Sequence, residues 1–343
     1  MTAFGLARLR SPGPGFRDFS IPAPFRATNG DQPRQRLIAV GRLNGYRNEA
    51  ARAASEGWKP MTLFLSYLIN GISLGSIYAI IALGYTMVYG IARMLNFAHG
   101  DVIMVGAYIC FCATQYLGLP AVAGVLVAMA ACTALGVTIE RLAYRPLRQA
   151  ASLAVLITAI GMSYLLQNLA LLIWGPNPKS FASVVSIGSI SLFDGALLIS
   201  GETIVTVLAN IVIMLALTQF TGRTKMGKAM RAVSEDRGAA ELMGINVNHT
   251  IALTFAIGSA LAAIAGALLC SSYPTLQPTT GSMPGIKAFT AAVFGGILLG
   301  VIEILGRAYV STELGDAFVF AVLIVVLLVK PTGLLGKKVS EKV

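Results

Sequence analysis

"LPAVAGVLVAMAACTALGVTI", Leu119 to Ile139, runs for 21 residues without a charge. At about 1.5 Å rise per residue, a helix of that length matches the roughly 30 Å hydrocarbon core of a bilayer. A helix is also the only open-ended structure that bonds all its backbone groups internally in lipid. The rest of the chain is of the same character. Of 343 residues, 56% are hydrophobic and 12% charged, and mean hydropathy is +0.74. Those values lie outside the range of soluble domains. The fold class that follows is all-α, a polytopic transmembrane helical bundle. The 36 glycines fit it, because small residues let membrane helices approach closely; Gly71/Gly75 and Gly296/Gly300 have the required spacing.

Working outward, apolar runs predict spans over 62–83, 84–98 (a short one), 101–118, 119–139, 152–174, 203–221, 250–272, 286–306 and 316–330, about seven or eight in all. Three of the polar breaks are basic: 140–149, 222–246 and 330–343. The breaks at 175–202 and 273–285 carry almost no Lys or Arg, so the basic ones are expected in the cytoplasm. Parity then raises a conflict. Three candidate spans separate 222–246 from the tail, so both ends are inside only if one segment is re-entrant or a crossing is missing.

Residues 1–60 differ. They hold ten Lys/Arg against four Asp/Glu, net +6, with six prolines and no sustained apolar run, while 61–343 carry net +5. That composition predicts a disordered extension, neither signal peptide nor span. Met61 opens "MTLFLSYLINGISLG", which reads as a natural start, so the expectation is a misassigned upstream extension. Without aromatic interleaving or a domain, its charge carries no nucleic-acid reading.

Catalysis finds little support. The two histidines, His99 and His249, have no ligand set at metal spacing, and the serines lack a nucleophile elbow. Cys110, Cys112, Cys132 and Cys270 sit in apolar runs and read as small hydrophobic fillers. A His99–Asp101 pair could relay protons, although a helix-end hydrogen-bonding role is favoured. The acids lie at span edges or in loops, Glu303 being the main exception. An ion-driven carrier would bury more of them. The spans instead hold neutral polar groups, Asn70, Asn96, Thr158, Ser163, Gln167 and Asn168, which either line a polar pathway or bond helices together.

"GRTKMGKAMRAVSEDRGAAELMGIN", Gly222 to Asn246, starts like a phosphate-binding loop. However, Ala229 stands where Ser or Thr must hold Mg²⁺, and a membrane span precedes it rather than a strand. The segment resembles the coupling loop of ABC-importer permeases. Ala239, Ala240 and Gly244 match the core of that loop's Glu-Ala-Ala-xxx-Gly pattern; Gly238 replaces the pattern's Glu, and Glu235 lies just upstream. The likeness extends to "NGISLGSIYAIIALGYTMVYGIARMLNFAHGDVIMVGAY" (70–108), "ERLAYRPLR" (140–148), "LITAIGMSYLLQN" (156–168), "GINVNHTIALTFAIGSALAAIAG" (244–266), "GIKAFTAAVFGGI" (285–297) and "KPTGLLG" (330–336). Residues 61–343 thus resemble the high-affinity branched-chain amino-acid permease family.

That resemblance implies a multi-pass protein of the bacterial inner membrane with no metal or cofactor of its own. It implies a homologous second permease subunit, two cytoplasmic ATP-binding subunits and a periplasmic substrate-binding protein as partners. Glu235, Ala239, Ala240 and Gly244 would form the ATPase-contact core, with short helices about a glycine turn. Leu, Ile or Val would be the solute; related members carry urea or short amides, and a secondary carrier is the rival class. One departure stands out. The family pattern has roughly ten further residues between Ile297 and Leu298, so an internal deletion that compromises the final helices, even inverting the tail, is expected.

Overall fold

The structure is a computed structural model that describes residues 60–185, 187–192, 197–287, 295–312 and 314–329. Of the extension expected over 1–60, residues 1–59 lie outside the described residues, as does the basic tail 330–343. The chain is mostly helical. In order come α1 (Pro60–Ala92), α2 (His99–Gln115), α3 (Ala121–Ile139), α4 (Ser152–Trp174), α5 (Gly201–Arg223), α6 (Lys225–Glu235), α7 (Arg237–Leu242), α8 (Val247–Ser272), α9 (Gly296–Tyr309) and α10 (Gly315–Val329), with a short helical stretch over 282–287. Two minimal antiparallel ladders complete the described residues. β1 (Lys179–Ser180) pairs with β4 (Thr275–Leu276), and β2 (Ile190–Leu192) pairs with β3 (Leu197–Ile199). The first ladder brings together the two breaks poor in Lys and Arg.

Five helices among the described residues are long and apolar enough to cross a membrane: Leu63–Ala92, Ala121–Leu147, Leu153–Trp174, Gly201–Arg223 and Val247–Ser272. The described residues alone thus account for five of the seven or eight spans expected. The candidate at 62–83 and the first part of that at 84–98 form one unbroken helix of 33 residues, Pro60–Ala92, about 50 Å long, because nothing between them breaks the backbone. The helices α2, α9 and α10 have 17, 14 and 15 described residues, at or below the lower end of the length that spans a bilayer core.

At the centre is α8, which packs on α1, α2 and α3. Its run "GSALAAIAG" removes side-chain bulk where neighbours approach. A Cβ added at Gly106 of α2 would stand 2.6 Å from the Ala263 Cα. By contrast α4 and α5 leave broad apolar faces uncovered, among them Tyr164, Leu172, Leu208 and Val212.

The two glycine pairs read from the sequence meet each other. A Cβ at Gly71 would lie 2.8 Å from Val301 Cα, and one at Gly75 would lie 2.6 Å from Ile297 Cα. The helices α1 and α9 therefore touch backbone to backbone, running antiparallel; Tyr67 and Tyr309 close the far end edge to face at 6.0 Å. Only the Pro60 half of α1 is covered in this way. Of the single pass expected over 286–306, residues 288–294 lie outside the described residues. Helix α9 starts only after Gly295, whose φ is +84°, and it turns back through 310–314 into α10, where Phe318 packs on Gly306. Ile297–Leu298, the expected deletion junction, lies inside the unbroken α9.

Candidate functional site

Two regions gather the polar residues. The first is the end of the bundle that carries the basic segments. Here α5 runs out of its apolar stretch and Thr224 restarts the chain as α6, its Oγ1 accepting from Gly227 N at 2.9 Å. Asp236 breaks the helix with extended φ and ψ and caps α7 by accepting from Ala239 N at 3.0 Å. Asn246 then caps α8 through His249 N at 2.9 Å. Each such cap contributes about 1 kcal/mol, so the segment is specified as two short helices set at an angle. The break between them is Asp236, not a glycine turn. Gly244, at φ +81°, instead ends α7: Gly244 N donates to Glu241 O and Ile245 N to Ala240 O, a Schellman closure.

That geometry sorts the expected contact residues. Glu235, Ala239 and Gly244 are exposed, whereas Ala240 is 3% exposed and turned into the bundle. The residues that project are Leu242 and Met243, 91% and 82% exposed. Helix α7 has only six residues, too few for its periodicity to show from sequence which side faces in.

Arginines tie this segment to its neighbours. Arg148 pairs with the buried Glu140 and donates to Asn248 Oδ1. Arg237 donates to Ala92 O, and Arg93 donates to Ser234 O at 2.6 Å and Glu235 O at 3.4 Å. Burial, then the positive charges of Arg148 and Arg93, lower the Arg237 pKa. The three guanidiniums border a cavity of about 620 Å³.

The second region lies within the bundle. Asp101, 1% exposed in the first turn of α2, accepts from Ser163 Oγ and from Gln167 Nε2, the latter at 2.9 Å; Gln167 also donates to Ser282 Oγ at 3.1 Å. Two of the six neutral polar residues named from the sequence, Ser163 and Gln167, thus converge. The others do not. Asn96 accepts from Tyr144 OH at 2.9 Å, Asn168 donates to its own helix at Tyr164 O, Asn70 is exposed, and Thr158 is half-buried outside the cluster. His99 and Asp101 do not pair, since Asp101 faces α4 while the buried His99 Nε2 has no partner among the described residues.

The acids at span edges are not all exposed. Besides Asp101, Glu140 and Glu303 are buried. Glu303 accepts from Lys287 Nζ at 2.8 Å, from Tyr78 OH at 2.9 Å and from Arg307 at 2.7 Å; Asp316 takes Lys287 at 2.6 Å. Two cations and two carboxylates balance, which makes this cluster a lock between α1, 282–287, α9 and α10. Of the cysteines, Cys110, Cys132 and Cys270 are buried and all four are free, while Cys112 Sγ accepts from Trp174 Nε1 at 3.2 Å.

A family described as "branched-chain amino acid transport system / permease component" matches residues 67–327. The chain belongs to that permease family. It is 46% identical to the high-affinity branched-chain amino acid transport system permease protein LivH of Salmonella typhimurium, over 82% of this chain and 98% of that one. It is 43% identical to the corresponding BraD of Pseudomonas aeruginosa over the same shares. The LivH alignment spans 305 positions although 82% of this permease is about 281 residues, so roughly two dozen positions are residues this chain lacks. A chain of the solved PsaBC complex from Streptococcus pneumoniae covers 82% of this permease and 96% of itself at 14% identity and a TM-score of 0.43, below the level of a shared fold.

Proposed function

We propose that this chain is the membrane-spanning permease subunit of an ABC importer in the bacterial inner membrane, passing Leu, Ile or Val. The observation that carries this reading is the 46% and 43% identity to LivH and BraD across nearly their whole lengths. A homologous second permease covers part of the apolar faces of α4 and α5. Two cytoplasmic ATP-binding subunits dock on the basic end and a periplasmic binding protein on the opposite end. The projecting Leu242–Met243 tip supports ATPase docking at segment 222–246, with Glu235, Ala239 and the Gly244 turn beside it and Ala240 holding α7 to the bundle.

The solute's path runs past Asp101, Ser163, Gln167 and Ser282. In favour of this, Asp101 is a buried carboxylate whose side-chain partners are neutral, so an ammonium can dock there without displacing a cation. The Lys287–Glu303 cluster is already neutralised and serves structure rather than ion flow. Leucine uptake by cells making the chain with all four partner subunits tests the reading. Uptake should vanish when the ATP-binding subunits cannot hydrolyse ATP, and Gly244→Val should abolish it while the protein stays in the membrane. Uptake by the isolated chain, or full uptake by Gly244→Val, refutes the proposal.

A further inference from the structure

The end of α1 presents orphan carbonyls, as every helix C-terminus does, and so does the end of α6. Each set is capped by an arginine from the other segment. Arg237, at the start of α7, donates to Ala92 O at the end of α1. Arg93, the next residue after α1, reaches back to Ser234 O and Glu235 O at the end of α6. Cations at helix C-termini are favoured by the helix dipole as well as by the hydrogen bonds. Residue 93 is, among the described residues, the sole non-glycine with positive φ, +50°. Glycine is the easy occupant of such a position, so an arginine there is retained for its side chain.

Beside this crossing Met230 and Val233 of α6 are buried in the core, while the arginines themselves border open space. Arg93 and Arg237 stand in the wall of the 620 Å³ cavity, with Arg148, Glu235, Asp236 and Val155. Segment 222–246 is joined covalently to α5 and α8; its polar link to α1 is the two arginines bridging the edge of an open space. Farther along, α1 is a continuous helix whose Gly71 and Gly75 abut α9 backbone to backbone and whose Tyr78 bonds Glu303 and Lys287. Lys287 closes the stretch 282–287, which begins at Ser282, the partner of Gln167.

We infer that the crossed arginines Arg93 and Arg237 make α1 the rod that carries motion of segment 222–246 to the stretch bearing Ser282. This rests on the reading of that segment as the ATPase-coupling loop. The two arginines are positioning residues that act through α1.

The test uses the complete importer, with both permeases, ATP-binding subunits and binding protein, in proteoliposomes. ATP hydrolysis, solute imported per ATP and recovery of the ATP-binding subunits are measured for Arg93→Gly, Arg237→Ala and Arg237→Lys. Gly suits the left-handed backbone at 93, so Arg93→Gly removes the guanidinium without adding strain. Arg93→Gly and Arg237→Ala should bind the ATP-binding subunits and hydrolyse ATP within about twofold of wild type, with import per ATP at least tenfold lower. Arg237→Lys, keeping one donor, should recover most of that ratio. Unchanged import per ATP overturns the inference, and so does loss of the ATP-binding subunits from the variants alone, which would make the arginines mere supports of the loop. Failure of the wild-type chain to recover those subunits would instead sink the coupling-loop reading, and the inference with it.

Discussion

Replacing Gly75 with alanine tests the contact on which the α1–α9 pairing rests. A Cβ there would stand 2.6 Å from Ile297 Cα, 2.7 Å from Ile297 O and 2.9 Å from Gly296 O. Ordinary contact begins near 3.4 Å, so the two backbones must separate by about 0.8 Å, and no rotamer can absorb the clash. Overpacking of this kind costs about 1–3 kcal/mol. Against it stands the gain in helix propensity from Gly to Ala, about 0.5–1 kcal/mol. The net is about 1–2 kcal/mol of destabilisation, or a fall in Tm of about 1–3 °C for a chain of this size. Gly161→Ala on α4 is the control, because nothing lies within 4 Å of its added Cβ; it should leave Tm unchanged or slightly raised. Thermal unfolding of the purified permease in detergent reads both. A Gly75→Ala protein as stable as Gly161→Ala would refute the close approach and with it the placement of α9 along the Pro60 half of α1.

Glu303→Gln should destabilise by about 3–5 kcal/mol, since it leaves the buried Lys287 short of a countercharge, whereas Lys287→Met combined with Glu303→Leu should regain most of that loss in the same unfolding assay. Leu242→Glu with Met243→Glu should weaken recovery of the ATP-binding subunits at least tenfold in an affinity pull-down while Tm is unchanged, both residues being almost fully exposed. Ala239→Glu, on the exposed side of α7, should abolish uptake without removing the protein from membrane fractions. Asp101→Asn should lower leucine uptake at least tenfold by loss of a charge-assisted bond, with assembly intact on size-exclusion chromatography; uptake at the wild-type rate would remove Asp101 from the path.

Much of the architecture was legible because it is a matter of solvent. A 21-residue uncharged run has one way to satisfy its backbone in lipid, so the spans at 119–139, 152–174, 203–221 and 250–272 could be read from composition and length. Local chemistry was plain only in part: Gly244 read as a turn and is left-handed, whereas the caps Thr224, Asp236 and Asn246, whose partners lie three residues away, were not read from the sequence. Nor were contacts across the chain. Ser163 and Gln167 stood out as polar residues in an apolar helix, but they became a site only when α2 brought Asp101 beside them, 62 and 66 positions away. Hydropathy likewise placed 286–306 in the membrane yet could not show that α9 packs on only half of α1. That depends on Gly71 and Gly75 meeting Gly296 and Gly300, and on Lys287 finding Glu303. Preference for lipid is a property each residue carries alone, and it sums along the chain. Close packing and charge pairing belong to pairs distant in sequence, and they exist only once the helices have been brought together.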